Sequence, residues 1–169
     1  MNVDRAYRLA REKLDEHGLQ NWGLIFDGAK SRFGCCWHGK QLITLSKALV
    51  ELNDEANVMD TILHEIAHAL VSSRHGHDRV WRQKALAIGC NGKRCYGREV
   101  VKPASKYMAK CESCGFVYTR NRKIPRGCRY YCTECYRHHG RKSILDFRTQ
   151  ATLETDLKAE VRQVDRVAY

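Results

Sequence analysis

The segment NVMDTILHEIAHAL, residues 57–70, decides the fold of this chain. Its apolar side chains recur at helical spacing on more than one face, which predicts a helix that is buried in a core. These side chains are Val58, Met59, Ile62, Leu63, Ile66, Ala67 and Leu70. The same helix carries two histidines and a glutamate, and burying such polar groups costs free energy unless they bind a partner. The segment therefore predicts a core helix and a site together.

His64, Glu65 and His68 form an H-E-x-x-H motif on this helix. Side chains four residues apart project from one helix face, so both imidazoles can bind one Zn²⁺. Glu65 lies one step round the helix, where its carboxylate would accept a proton from a metal-bound water that attacks a carbonyl. A hydrolytic zinc also needs a third protein ligand, and the candidates are His75 and His77 in the following loop.

Periodicity and turn signals extend the fold outward from this helix. Three short extended runs joined by glycine-containing turns predict a small antiparallel sheet, at residues 22–26, 31–37 and 41–46. Further helices are expected at residues 3–17, 47–52, 78–88 and 151–167. Gly18 is expected to end the first helix, Ser46 to begin the second, and Asn53 or Asp54 to begin the central one. The fold class is therefore α+β, a short sheet packed on helices.

Four of the nine cysteines form the pattern C-x₂-C-x₁₇-C-x₂-C. They are Cys111, Cys114, Cys132 and Cys135. Each pair can form a tight knuckle that presents two thiolates to one tetrahedral Zn²⁺. Four thiolates leave no open position, so this zinc would be structural and would help a small module to fold. We expect a hairpin between the pairs, with residues 116–120 running outward and residues 129–131 returning.

The other cysteines are weaker metal candidates. Cys128 lies four residues before the second pair, which makes a poor knuckle, and it is expected to stay unligated. Cys35 and Cys36 are adjacent strand residues whose side chains point to opposite faces. Cys90 and Cys95 are expected either to pair as a secondary crosslink (a clip) or to remain buried thiols.

Positive charge is concentrated around the cysteine ribbon. The 169 residues carry a net charge of +11, and residues 91–142 hold 14 basic but only three acidic side chains. Such a local excess indicates a polyanion partner, although a merely solvated face is the alternative. Aromatic rings between the cations favour single-stranded or distorted nucleic acid over sequence-specific duplex reading. The candidate contacts are Lys106, Tyr118, Arg120, Arg122, Lys123, Arg126, Arg129 and Tyr130.

Composition shifts divide the chain into three expected parts. Residues 1–100 would form the domain with the histidines, residues 101–142 the basic zinc ribbon, and residues 143–169 a tail with helical spacing. No run of 18 apolar residues occurs, so we expect no membrane association. We expect a cytoplasmic monomer, associated with the nucleoid or within an infected host cell if phage-encoded, or a nuclear protein if the source is eukaryotic.

Residues 20–140 resemble the SprT/Spartan family of zinc metalloproteases. In that family a strand ending in a leucine-serine pair, here Leu45 and Ser46, precedes the H-E-x-x-H helix. A third histidine ligand opens the next helix and is followed four residues later by an aromatic residue. His77 and Trp81 match this arrangement, so the resemblance selects His77 over His75.

The resemblance implies a small zincin-like metalloprotease domain followed by a DNA-contacting zinc module. It implies two zinc ions, one catalytic and one structural, with Glu65 as general base and with proteins crosslinked to DNA as substrates. A substrate peptide would add as a strand along the edge formed by residues 41–46. The alternatives are a non-catalytic nucleic-acid-binding protein or adaptor whose H-E-x-x-H zinc is structural, and a general peptidase that ignores nucleic acid.

Overall fold

The computed structural model describes residues 1–97, 99–149 and 152. The chain divides into two compact units, Met1–Pro103 and Ala104–Tyr169. We call them the N-terminal unit and the ribbon unit, and the described part of the ribbon unit is residues 104–149 and 152.

Four helices and three strands form the N-terminal unit. The helices are α1 (Val3–Glu16), α2 (Lys47–Leu52), α3 (Glu55–Leu70) and α4 (Arg79–Ala87), and the strands are β1 (Gly23–Asp27), β2 (Gly34–Trp37) and β3 (Leu42–Ser46). Side-chain oxygens cap the helices as expected: Ser46 accepts from the third N–H of α2, and Asp54 from the third of α3. The helix carrying the H-E-x-x-H motif is thus confirmed.

The sheet of the N-terminal unit has the order β1-β3-β2, which corrects the expected antiparallel sheet. β3 pairs with β2 in antiparallel register but with β1 in parallel register. The reason lies in β3, where Ile43, Thr44, Leu45 and Ser46 are all buried. A strand that is buried on both faces is best accommodated in the middle of a sheet, between two partners. β3 therefore inserts between the two strands that precede it.

α3 lies in the core between the sheet and the other helices. One face packs Val58, Ile62 and Ile66 into the main cluster, with residues from α1, α2 and the sheet. Its other face packs Leu63 and Ala67 into a second cluster with residues from α4. Burial on two faces holds the histidines of this helix in fixed positions.

The ribbon unit is built on a second three-stranded sheet. Its elements are β4 (Tyr107–Lys110), β5 (Val117–Arg120), α5 (Thr133–His139) and β6 (Arg148–Thr149), with the strand order β5-β4-β6. The expected pairing of residues 116–120 with 129–131 is wrong, because β5 pairs with β4. The first cysteine knuckle is itself the turn of this hairpin: the Cys111 N–H donates to the Phe116 carbonyl at 2.9 Å, and Gly115 has a φ of +74°.

The ribbon unit continues past residue 142, where the sequence suggests that the ribbon ends. Leu145 is 5% exposed and packs with the cysteines, Tyr131 forms a bridge with Ile144, and β6 pairs with β4. Apart from Thr152, the helix expected at residues 151–167 lies outside the described residues. Among the described residues, no helix combines the length and the hydrophobicity needed to cross a membrane.

Candidate metal centre and catalytic cleft

The structure brings three imidazoles of the N-terminal unit together. His64 and His68 lie one turn apart on α3, and His77 lies directly before the N-cap of α4. The Nε2 atom of His77 is 3.0 Å from Nε2 of His64 and 3.1 Å from Nε2 of His68. Zn–N bonds of about 2.0–2.1 Å at a tetrahedral centre would separate the nitrogens by about 3.3 Å. The three nitrogens therefore form a set that could hold a metal ion.

His75, the other third-ligand candidate, has a different partner. Its Nδ1 lies 2.8 Å from Oδ2 of Asp78, while Oδ1 of the same carboxylate accepts the Trp81 N–H at the start of α4. The structure thus places His77 with the two histidines of α3 and holds His75 against the helix cap. His75 still lines the same cleft as the three imidazoles.

Trp81 packs against all three imidazole rings. Its ring centroid lies 4.6 Å from those of His64 and His77, and 5.1 Å from that of His68, on which it stacks. The indole is 1% exposed, so it fills the space behind the rings and keeps them from turning away from one another. The aromatic residue four positions after His77 therefore acts as a support for the site.

The environment keeps the imidazoles neutral, which is the form that binds metals. Burial and the neighbouring His77 lower the pKa of His64 to about 4, and burial with the charges of nearby histidines does the same for His68. Burial and the Arg94 charge lower the pKa of His77 as well. The ring of His64 also donates a hydrogen bond to the backbone carbonyl of Lys93.

Glu65 lies at the same site but points towards the sheet. Its side chain is only 6% exposed and fits against Gly34 of β2, where a Cβ atom would come within 2.7 Å of its carboxylate. Burial raises the pKa of Glu65 to about 8, against the smaller opposing effects of the Arg32 charge and the Cys36 backbone N–H. No partner atom other than these fixes the carboxylate in the described structure, so it remains available to a bound molecule.

A cleft of about 680 Å³ contains these groups. One wall is residues 31–36, including β2, another is the face of α3 with the histidines, and a third is the loop of residues 93–96. Tyr96 connects two of these walls, because its hydroxyl donates to the Ser31 carbonyl at 2.6 Å and its ring packs against Phe33. The arrangement can receive an extended chain beside a metal ion and a carboxylate.

Sequence reasoning missed two contributors to this cleft. Gly34 is required by the close approach of Glu65, and an isolated glycine within a strand pattern was the available signal. The Lys93 carbonyl left no signal, since a backbone group is invisible in the sequence. Cys35 and Cys36 lie on β2 as expected. Cys90 is buried and Cys95 is exposed, and no disulfide joins them in the described structure.

The four ribbon cysteines form a second donor set. Sγ of Cys111 lies 3.7 Å from Sγ of Cys135, and Sγ of Cys114 lies 3.5 Å from Sγ of Cys132. Zn–S bonds of about 2.3 Å at a tetrahedral centre would give sulfur separations of about 3.8 Å. The set could therefore hold a zinc ion, in agreement with a zinc ribbon. Cys128 is exposed and outside it.

Three of the predicted nucleic-acid contacts are occupied within the ribbon unit. The Tyr118 hydroxyl accepts the Thr133 N–H at 2.9 Å and lies 3.2 Å from Sγ of Cys132. The Arg120 guanidinium packs over the rings of Tyr130, at 4.5 Å, and Phe147. Tyr118, Arg120 and Tyr130 thus help to build the ribbon itself.

The other five predicted contacts are exposed cations. They are Lys106, Arg122, Lys123, Arg126 and Arg129. Within the described residues none of them forms an ion pair. The last four lie in the loop between β5 and α5. Four exposed cations without an ion pair therefore lie in one loop of the ribbon unit.

Comparison with known proteins agrees with this architecture. The SprT-like family model matches residues 6–101, which is more than half of the chain. The matched range contains the three histidines of the candidate metal site. Protein SprT of Enterobacter sp. (strain 638) is 26% identical over 144 residues, an alignment that covers 76% of this chain and 87% of the relative. The chain therefore belongs to the SprT-like family.

Proposed function

We propose that this protein is a zinc metalloendopeptidase that cleaves proteins bound or crosslinked to DNA, with one catalytic and one structural zinc ion. The observation that carries the proposal is the Glu65 carboxylate, which is buried beside three neutral imidazoles in an open cleft. A purely structural metal site gains nothing from a buried carboxylate without an ion pair, since burying it costs free energy. A hydrolytic site requires such a group as a base.

The donor set of the N-terminal unit fits a catalytic zinc. His64, His68 and His77 would hold the ion through their Nε2 atoms, and a set of three protein ligands would leave one coordination position for water or substrate. When bound, zinc polarises the scissile carbonyl and makes water a stronger nucleophile at neutral pH. A dication next to Glu65 also favours its ionised form, which opposes the effect of burial on its pKa.

Glu65 accepts the proton of the attacking water and then delivers it to the leaving amine. Two elements set the position of the Glu65 carboxylate. α3 carries Glu65 between the two histidines in sequence, and the backbone of Gly34 on β2 limits the movement of its side chain. The N–H of Cys36 orients the carboxylate. A carboxylate held in this way needs little reorganisation as the proton moves.

The substrate binds to β2 rather than to β3. The expected docking edge at residues 41–46 is wrong, because β3 has partners on both sides. β2 is an edge strand among the described residues, and its Phe33 carbonyl accepts the Ser46 N–H at 2.7 Å. The alternation of an antiparallel ladder therefore turns the N–H and C=O groups of Gly34 and the C=O of Cys36 to the open edge, where a peptide strand can add.

The ribbon unit supplies the DNA contact. A zinc ion on its four thiolates would hold the knuckles, and the exposed cations of the loop after β5 would neutralise phosphates of single-stranded or distorted DNA. Binding to DNA raises the local concentration of DNA-bound proteins at the cleft, so the tether contributes to specificity. We propose that the protein is a monomer that acts at the nucleoid, or in the nucleus if its source is eukaryotic.

The decisive experiment compares the wild type with E65Q on a protein crosslinked to DNA, with and without added single-stranded DNA. We expect E65Q to retain zinc and DNA binding but to cleave at least about 100-fold more slowly. In a second comparison R122Q/R126Q should lose DNA-dependent cleavage, while R79Q/R82Q, a matched change in the N-terminal unit, should not.

Each alternative gives a different result. If neither the zinc-loaded wild type nor E65Q cleaves while both bind DNA equally, the protein is a binding module and the protease proposal fails. If the wild type cleaves free and DNA-bound proteins at equal rates, without salt-sensitive DNA binding, it is a general peptidase.

A further inference from the structure

A carboxylate on α3 holds the loop that follows α4. Asp60 lies one helical turn before His64 and accepts two hydrogen bonds from Asn91, one from its backbone N–H and one from its side-chain amide, both at 2.7 Å. The two residues are 31 positions apart in the chain. The pair fixes both the position and the orientation of the Asn91 side chain, because both carboxylate oxygens are used.

The same loop then turns back towards the histidines. The Asn91 side-chain oxygen accepts the backbone N–H of Lys93 at 2.7 Å, and Gly92 between them has a φ of +66°, which favours glycine. The Lys93 carbonyl in turn accepts a hydrogen bond from the ring of His64. Four residues therefore form one continuous chain of hydrogen bonds, from Asp60 through Asn91 and Lys93 to His64.

We propose that Asp60 and Asn91 are positioning residues for the metal site, which act on His64 through the Lys93 carbonyl. Nε2 of His64 faces the other two imidazoles, so the carbonyl is the partner of Nδ1. A hydrogen bond at Nδ1 selects the tautomer whose Nε2 lone pair is free for a metal ion, and it fixes the plane of the ring. Neither residue contacts the metal.

This role differs from that of a simple clasp between α3 and the loop. A clasp would affect the stability of the fold, whether or not metal is bound. A positioning pair affects the affinity of the histidine site for zinc and the hydrogen bond at Nδ1 of His64. The inference rests on the proposed function only in requiring that the three histidines bind zinc.

Exchanging the two side chains tests the hydrogen-bond chain itself. In D60N two amide groups face each other, and in N91D two carboxylates do, so each single variant breaks the pairing. In D60N/N91D the side-chain hydrogen bond can form again with its donor and acceptor reversed. The amide oxygen at position 60 still accepts the backbone N–H of residue 91, and the carboxylate at position 91 can still accept the Lys93 N–H. D54N removes the same charge from the start of α3 and serves as the matched control, since an asparagine also caps helices.

Zinc affinity of the full chain is measured by competition with a chelator. Cobalt substitution separates the two sites, because thiolate-to-metal charge-transfer bands report the cysteine site alone. NMR of the histidine rings reports the Nδ1 proton of His64. We expect each single variant to weaken zinc binding at the histidine site about 10–100-fold and to speed exchange of that proton. The cysteine site should be unchanged, and the double variant should recover both properties.

Two results overturn the inference while leaving the proposed function intact. One is wild-type zinc affinity in D60N and N91D, and the other is a double variant that is no better than the singles. If the wild type binds no zinc through its histidines, both the inference and the proposed function fail. Asn91 is exposed, so N91D remains available for the test if D60N does not fold.

Discussion

Replacing Gly34 by alanine should abolish most of the proposed cleavage activity without unfolding the protein. In G34A the new Cβ would lie 2.7 Å from both Cγ and Oε1 of Glu65 and 3.0 Å from its Cδ. Carbon atoms in contact are separated by about 3.5–4.0 Å, so the carboxylate must withdraw by roughly 0.8 Å or more. Glu65 is buried, which means that this movement also disturbs its neighbours.

The magnitude follows from the sensitivity of proton transfer to position. A displacement of about 1 Å in a catalytic group lowers rates by about 100-fold, and we expect this loss in kcat/KM for G34A. Alanine is favoured over glycine within a strand by about 0.5–1 kcal/mol, so the strain on Glu65 is partly offset in the free energy of unfolding. The variant should therefore be folded, loaded with zinc and nearly inactive.

The assay measures cleavage of a DNA-crosslinked protein together with zinc content and the thermal unfolding midpoint. G39A is the matched control, because a Cβ at Gly39 meets no atom within 4 Å. Cleavage by G34A at the wild-type rate with a full zinc content would refute the reasoning. It would show that the contact between Gly34 and Glu65 does not set the position of the base.

Four further predictions concern the two units separately. W81A should lower the free energy of unfolding by about 3–5 kcal/mol and weaken zinc binding. W81F should lower the free energy of unfolding by less, because the buried indole N–H has no partner to lose within the described structure. Calorimetry with and without zinc compares the two variants. Y118F should destabilise the ribbon by about 0.5–1.5 kcal/mol, because it removes the hydrogen bond from the exposed Thr133 N–H; a loss of DNA affinity without a change in ribbon stability would contradict this. Chelation should unfold the ribbon unit, whose core within the described residues is five buried side chains, but not the N-terminal unit; ribbon NMR signals should collapse while those of the N-terminal unit stay dispersed. Burial raises the pKa of Asp27, but the Ala29 N–H, Thr44 and Arg32 together lower it by more, so the folded pKa lies below 3.8. Ionised Asp27 should therefore stabilise the fold above pH 3.8, and this stabilisation should be lost as the pH falls through the folded pKa. Acid unfolding of the wild type and D27N measures the difference in stability.

Sequence reasoning predicted the helices of the N-terminal unit well, because their signals are local. The apolar spacing in residues 57–70 and the caps at Ser46 and Asp54 depend only on nearby residues, and α2 and α3 begin where these signals place them. The order of the strands was not predictable in the same way. Alternation shows which faces of a strand are buried, but it does not show which strands become neighbours.

The candidate site was predictable to the extent that its spacing is local. His64, Glu65 and His68 follow from one helix turn, and the four ribbon cysteines from their two knuckles. Spacing alone left His75 and His77 open, and only the resemblance separated them. The distinction depends on Asp78, which caps α4 and at the same time holds His75 away from the two histidines of α3.

The strand order explains how so short a sheet can offer an open edge at the candidate site. Had the three strands followed one another as a meander, β2 would be central and both of its edges would carry ladder hydrogen bonds. Insertion of β3 between β1 and β2 leaves β2 at the edge, with Gly34 and Cys36 facing Glu65. The same insertion places β3, the most buried of the three strands, between two partners that complete its backbone hydrogen bonds. One packing preference therefore stabilises the core and opens the edge on which a substrate would lie.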